Sequence, residues 1–376
     1  MFTIVLGFAA TSALAEFGSV VAAAGNNVLV GDAGAVYLFD ATDGDLLQIF
    51  RDPSNNRSFG SSVALFGTNV LVSAPGAGYL FDASNGNLLQ TFLNPVSRHN
   101  NSFGSSIAAI GNNVLIGAMR DHTSALGAGA AYLFDATTGN LLKTFIDPTP
   151  VANSHFGSYV GAIGNDILVG SNADTEAAHI FDAATGDLLQ TFLVPTTPDS
   201  LTVAAAGNNV LIGAPFDNTG DQNFGAAYLF NAATGNLVDS FVSPMPMSYD
   251  LFGSSIASVG DSFLIGAWRS GAAYLFDTVT GEHLRTFLDP TSDMQPFAWS
   301  VAGIGSNVLI GEPFFAGNDG VRTGAVHLCD ASTGDLLKTF VLPEPSPLAL
   351  LAMGATGIAA LRRRRKDNAE TAPAQT

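Results

Sequence analysis

The chain writes one phrase seven times, and few folds can accommodate that. VYLFDATDGDLLQIF (36–50) returns as GYLFDASNGNLLQTF (78–92), AYLFDATTGNLLKTF (131–145), AHIFDAATGDLLQTF (178–192), AYLFNAATGNLVDSF (227–241), AYLFDTVTGEHLRTF (273–287) and VHLCDASTGDLLKTF (326–340). Each copy closes a longer unit that opens on Phe-Gly-Ser-Ser, runs through an apolar segment such as IAAIGNNVLIGA, and ends on Asp-Pro or a variant of it. Aligned on the glycine of the GNN turn (Gly25, Gly67, Gly111, Gly164, Gly207, Gly260, Gly305), the units are spaced by 42, 44, 53, 43, 53 and 45 residues. A period in the forties is the signature of a repeat architecture.

Every unit carries the marks of four short strands. The first ends at Gly-Asn-Asn, a turn that tolerates positive φ and suits a tight hairpin. The second, Asn-Val-Leu-Ile-Gly-Ala, is short and rich in branched residues, which favours strand over helix. The third is Ala-Ala-Tyr-Leu-Phe-Asp and the fourth Asn-Leu-Leu-Lys-Thr-Phe, joined by DATTGN, in which Asp bonds its own backbone and Gly enters the left-handed region. The proline of Asp-Pro then stops the unit.

No repeat shows helical periodicity, so the body is expected to be all-β. The second and third strands are apolar on both faces, and stacking like sheets around a closed axis covers both at once. The expected fold is a seven-bladed β-propeller of four-stranded blades over residues 16–342, with repeats starting near 17, 59, 103, 156, 199, 252 and 297. An open β-solenoid competes, but its coils are usually shorter and its ends need caps.

Composition narrows the partners. The 376 residues are 47% hydrophobic and 12% charged, ample apolar surface for a folded core. Net charge is −18, and five of the fourteen basic residues lie in one C-terminal run; up to Leu361 the chain holds 30 acidic and 9 basic residues, a balance of −21. Such a body repels nucleic acid and anionic membrane surfaces, which need a basic footprint. The single cysteine, Cys329, stands where other copies place Phe, so no disulfide or cysteine-metal framework exists.

FGSSIAAIGNNVLIGAM and VAAAGNNVLIGAP resemble the FG-GAP repeat, the propeller unit of integrin α-subunit heads and of many bacterial surface proteins, over residues 17–340. The Phe-Gly stands at Phe17, Phe59, Phe103, Phe156 and Phe252; the seventh unit has Phe297-Ala298 and the fifth lacks it. The resemblance implies the same propeller and a binding role. Calcium-binding members carry an acidic loop before the Gly-Ala-Pro strand, and Ca2+ needs six to eight oxygen ligands. Here that space is a bare two-residue turn, so the family's calcium sites are not carried over and no cofactor is expected.

The longer connections between second and third strands are the remaining places for a ligand, because repeat folds concentrate variation on one binding face. They nominate Arg120, Asp121 and His122 in the third unit, Asp217, Asn218 and Asp221 in the fifth, and Phe314, Phe315, Asn318 and Asp319 in the seventh. Asp217, Asn218 and Asp221 are the candidates for a Ca2+ ion, although they do not fit the D-x-[DN]-x-[DN]-G pattern; a solvated loop of turn formers is the plainer reading. The phrase's Tyr (His179 and His327 in two copies) is expected to pack between blades with a polar tip, and its Asp to cap the turn.

The phrase is also similar to that of quinoprotein dehydrogenase propellers, which keeps an enzyme acting on polysaccharide or alcohol as the alternative. Those repeats dock blades with Trp where this chain has Phe50, Phe92, Phe145, Phe192, Phe241, Phe287 and Phe340, and the only tryptophans are Trp268 and Trp299. No nucleophile elbow, Ser/His/Asp order or metal triad is legible, so no catalytic residue is assigned.

The two ends bear on location. Residues 1–15, MFTIVLGFAATSALA, have the apolar run and Ala-x-Ala end of a signal peptide, without a preceding Lys or Arg. Residues 343–366 read PEPSPLALLAMGATGIAALRRRRK and closely resemble the PEP-CTERM sorting signal, in which the tripeptide (here Pro343, Glu344, Pro345) is recognised by a membrane protease-transpeptidase, exosortase. The segment 347–361 is expected to form a short hydrophobic transmembrane helix, flanked by Arg362, Arg363, Arg364, Arg365 and Lys366 on the cytoplasmic side and by a polar tail at 367–376. The expectation is an exported, monomeric, non-catalytic module of the cell envelope, surface or extracellular matrix. Its partners would be an exosortase-type enzyme, the membrane before processing, and matrix polysaccharide or surface proteins, with no nucleic acid.

Overall fold

The computed structural model describes residues 16–32, 34–54, 58–96, 102–171, 177–195, 200–218, 224–290, 296–316 and 323–342. The chain divides into two compact units, Met1–Val341 and Leu342–Thr376, and the described fold belongs to the first. The signal-peptide, sorting-motif, transmembrane and basic-cluster expectations fall outside the described residues. Among those described, no helix is long and apolar enough to cross a membrane.

Each repeat forms one antiparallel sheet of four strands in chain order, giving seven sheets and an all-β seven-bladed propeller. The second strands are the most buried, as their uninterrupted apolar runs require: Val114, Leu115 and Ile116 are all fully enclosed. The first strands line the axis, each facing its neighbours: Val20–Ala24, Val63–Phe66, Phe103–Ile110, Tyr159–Ile163, Thr202–Ala206, Ser255–Val259 and Ser300–Ile304. The last of these packs back on the first, so the ring closes, and no blade borrows a strand from the other end of the chain. First and second strands are joined by the two-residue turns expected, with the GNN glycines at φ between 54° and 61°.

The Phe-Gly-Ser-Ser signature does more than begin a strand. In most blades the first strand starts after it, because its glycine turns the chain at φ 84–90° (Gly18, Gly60, Gly104, Gly157, Gly253). The Phe packs on the Tyr or His of its own third strand, as Phe17 does on Tyr37 at 5.6 Å and Phe156 on His179 at 5.8 Å. The glycine lets the backbone meet the preceding blade: a Cβ on Gly157 would lie 2.3 Å from the carbonyl oxygen of Ala130. At four junctions its carbonyl, or that of Ala298 in its place, accepts a hydrogen bond from the second Ser or Thr of the preceding blade. Ser106 donates to Gly157 at 2.9 Å, Thr202 to Gly253 at 2.7 Å, and Ser300 of the last blade to Gly18 of the first at 2.8 Å. The closing junction therefore uses the same bond as three of the internal ones.

Blades also dock through the last residue of the phrase. Phe50 meets Phe81 of the next blade at 5.4 Å, Phe145 meets Phe181 at 5.3 Å, and Phe340 meets Phe39 across the closure at 5.4 Å. At the sixth junction Phe287 finds Cys329 instead of a ring, within one apolar cluster. Burial pushes that thiol up to about 11, and the side chain is enclosed. Because the thiolate is the reactive form, Cys329 is expected to resist a maleimide at neutral pH in the folded protein and to react fully in denaturant; rapid labelling of the native protein would contradict this packing.

On the side bearing the 3–4 turns, the Asp of each phrase caps its own turn, as in Thr42 N–H to Asp40 Oδ1 at 2.7 Å and Thr185 N–H to Asp182 Oδ1 at 2.7 Å. These bonds hold the carboxyls below the ordinary range, led by the Thr42 backbone N–H for Asp40 and the Ser84 hydroxyl for Asp82. The turn glycine has a second role. The long fourth-strand side chain of one blade lies over the glycine of the next: Lys143 over Gly186, Arg285 over Gly334 and Lys338 over Gly44. Lys143 Nζ donates to Ala184 O at 2.8 Å and Lys338 Nζ to Thr42 O at 3.0 Å, again across the closure in the second case.

Candidate binding face

The strand directions sort the connections onto two faces. The GNN and DATTGN turns, nearly uniform in length, occupy one. The loops between second and third strands, and the links from each fourth strand to the next blade, share the other, and all the variation in length falls there. That variable face holds the nominated loop residues.

Beneath it the structure assembles a feature with no single place in the repeat. Facing the polar tip of each phrase's Tyr or His is one carboxylate. Tyr132 Oη donates to Asp121 Oδ2 at 2.9 Å, Tyr228 Oη donates to Asp217, and His327 Nε2 meets Glu312 Oε2 at 2.9 Å. Asp32 acts on Tyr37, Asp52 bonds Tyr79, Asp147 acts on His179 and Asp250 on Tyr274. In the first, third, fifth and seventh blades the acid comes from the blade itself: Asp32 and Glu312 close its second strand, and Asp121 and Asp217 stand in the loop that follows it. In the second, fourth and sixth it comes from the link that enters the blade, Asp52 and Asp147 being the acids of the Asp-Pro stops. Burial, with the acid adding to it, raises the phenols of Tyr37 and Tyr132 above their ordinary value. For His179 burial lowers the imidazole and Asp147 pulls the other way.

This ring decides what the nominated acids do. Asp121 is fully buried, accepting from Tyr132 on one oxygen and from the Thr123 N–H on the other, and Asp217 is buried against Tyr228. Both serve the blade interior and present no carboxylate at the surface. His122 Nδ1 accepts the Gly127 N–H at 2.6 Å and shapes the loop, while Arg120 and Asn218 are exposed. Phe315 turns inward onto His327 at 5.8 Å, and its carbonyl accepts the N–H of both Thr323 and Gly324. Phe314 stays partly exposed. Asp221, Asn318 and Asp319 lie outside the described residues. The nominated set stands on the third, fifth and seventh blades, each separated from the next by a whole blade. Among the described residues, no three His, Cys, Asp or Glu side chains cluster as a metal would require.

Asp250 is the exception in the ring. It is fully buried and neither carboxylate oxygen receives a well-formed hydrogen bond. Burial pushes it above the ordinary carboxyl range, with the hydroxyls of Ser243 and Ser270 opposing. A raised native pKa means that the fold holds a proton the unfolded chain would release, so stability is lost as pH rises from about 4, the ordinary Asp value, through the native one. Asp250→Asn is therefore expected to raise the urea midpoint relative to wild type near neutral pH, with the gain vanishing towards about pH 4. Asp121→Asn, whose carboxylate has its donors, is expected to lower it; equal responses of the two variants would contradict the assignment.

The two tryptophans, far apart in the sequence, meet in the fold. Trp268, on the 2–3 turn of the sixth blade, and Trp299, at the start of the seventh, stand 5.0 Å apart across the blade junction. Phe314 meets Trp299 edge-on at 6.2 Å, and the Arg269 guanidinium lies over Trp268 at 5.5 Å. All three rings are partly exposed and Arg269 is exposed. The available signal was positional: Trp268 takes the place of Pro75, Pro215 and Pro313, and Trp299 that of Ser19, Ser61, Ser105, Ser158 and Ser254.

With this geometry in view, the likeness to known proteins can be placed. Residues 96–134 match the model of the FG-GAP repeat family. The crystal structure of the computationally designed Ika8 protein is similar to the chain with a TM-score of 0.58 over 87% of each chain, at 17% identity, which speaks to the fold alone. No curated protein matches the chain.

Proposed function

We propose that the chain is an exported, non-catalytic propeller that serves as a binding, adhesion or scaffold module at the cell surface or in the extracellular polysaccharide matrix. The observation that carries this reading is the asymmetry of the two faces: near-identical turns on one, and on the other seven sets of unlike loops held by a common buried framework. Repeat folds place recognition on such a face. Export is supported by the signal-like residues 1–15 and by the order of tripeptide, apolar run and basic cluster at 343–366.

The deciding measurement is the intact mass of the protein from its native host, by cell fraction. Loss of residues 1–15 and of everything beyond the Pro343 region, with the protein in matrix or medium, is the expected result. Protein with both ends intact in the cytosol would overturn export, and turnover on a carbohydrate or alcohol panel would overturn the non-catalytic role in favour of the enzyme alternative.

A further inference from the structure

We infer that Trp268, Trp299 and Phe314, with Arg269, form a binding site for a hydroxyl-rich pyranose chain at the junction of the sixth and seventh blades. The inference deepens the module reading and rests on it. No other repeat carries an aromatic residue at either position: Trp268 stands where the others have Pro75, Pro215, Pro313, Met119 or another small or polar residue, and Trp299 where five of them have Ser, so two departures from the repeat coincide in space although 31 positions separate them in the chain. Aromatic rings are normally drawn into the blade interior in this protein, as Phe59, Phe103 and Phe252 are. These three instead remain partly exposed on the variable face.

The chemistry of the strip selects the ligand. A pyranose has an apolar C–H face and a girdle of hydroxyls; the face stacks on an indole and the girdle suits N–H donors such as the indole and guanidinium. Arg269 already rests on the Trp268 ring, so a cationic donor fork stands beside the stacking surface. Polyanions such as nucleic acid are disfavoured by the surrounding body charge of −21. The strip is also small. An aromatic residue buries roughly 150–250 Å² when fully covered, and these are already partly covered, whereas a stable protein partner takes about 800 Å² per side. A sugar chain crossing three rings fits that area.

The backbone at the site departs from the repeat as well. Residue 298, glycine in the other Phe-Gly pairs, is alanine here and sits at φ 62° instead of the 84–90° of Gly18, Gly60, Gly104, Gly157 and Gly253. Trp299 follows it directly, held by its N–H to Gly311 O at 3.2 Å. The Ala298 carbonyl nevertheless keeps the latch of the other junctions, accepting from Ser255 Oγ at 2.8 Å.

The test uses the full-length protein. Both of its tryptophans lie in the strip, so fluorescence excited at the indole edge reads this site alone. Titration with cellohexaose, maltoheptaose and chitohexaose is expected to give a saturable change with at least one of them, and the protein is expected to be retarded in a gel containing the matching polysaccharide. Trp299→Ser and Trp268→Met, which install residues that other repeats carry at the same positions (Ser105 and Met119), should each weaken retardation at least tenfold while the native urea transition is kept. No saturable change with any of the three would overturn the inference, as would retardation unaltered in a folded Trp299→Ser/Trp268→Met protein. In the second case the module reading stands and the sugar binds elsewhere. In the first, capture of a specific surface protein by the wild type would leave the module reading intact, and a cytosolic, unprocessed protein would remove it independently.

Discussion

Gly129→Ala is expected to lower the stability of the propeller by about 2–5 kcal/mol. Gly129 sits at φ 86° in a parallel bridge to Phe156, where the third blade hands over to the fourth. A Cβ there would lie 2.0 Å from the Phe156 carbonyl oxygen and 2.6 Å from its nitrogen, so backbone on both sides must move. The displaced segment carries the Phe156 N–H to Ala128 O bond of 2.8 Å and the Gly129 N–H to Asp121 O bond of 3.0 Å. The left-handed conformation contributes about 1–2 kcal/mol and the overpacking about 1–3 kcal/mol. Gly111→Ala is the matched control: φ is 54° and nothing lies within 4 Å of the new methyl, so only the conformational part, about 1–2 kcal/mol, should appear. Urea denaturation of the two variants separates them, and equal losses would show that the blade contact is not what Gly129 protects.

His327→Leu is expected to cost about 3–5 kcal/mol, because it strands a carboxylate that was paired in the interior. His327 and Glu312 are 1% and 0% exposed and meet at 2.9 Å. The other imidazole nitrogen is engaged by Thr339 Oγ1 at 3.1 Å, and the ring packs on Phe297 at 5.7 Å. Leucine keeps most of the volume and none of the pairing. Adding Glu312→Ala should recover most of the loss, since alanine is what the repeat places at the same position in Ala74, Ala118, Ala214 and Ala267. A double-mutant cycle by chemical denaturation measures the coupling; additive losses would mean that the pair contributes packing and no mutual electrostatic support.

The contrast between these two positions shows how far the sequence could be followed. Whatever recurs in register was legible: the four strands, the two-residue turns, the capping Asp40 and its counterparts, and the fourth-strand phenylalanines that join blade to blade. The acids of the polar ring were not, because they do not share a register. Asp32 and Glu312 close a second strand, Asp121 and Asp217 stand three residues further on, and Asp52 and Asp147 belong by sequence to the preceding unit. Only folding shows that each serves one Tyr or His. This is also why Asp121 and Asp217, in loops that suggested ligands, turn out to be buried. The turn glycines were explained by φ alone, whereas Gly186 and Gly44 also make room for the lysine of the neighbouring blade. Trp268 and Trp299 went unpaired in the reading because adjacency across a blade junction has no signature in the spacing of two residues.

Because every blade is made from one uninterrupted stretch of chain, the seam between the seventh blade and the first lacks a peptide link but is built from contacts that other junctions share. Its hydroxyl latch at Ser300, its ring contact at Phe340 and its lysine tether at Lys338 repeat what the linked junctions have. Where in the ring the first blade begins is thus a matter of gene order more than of architecture. Joining the first and last strands of the propeller and reopening the chain at a link that supplies no acid to the ring keeps the contacts between blades, and a gene that gains or loses copies does so in whole blades.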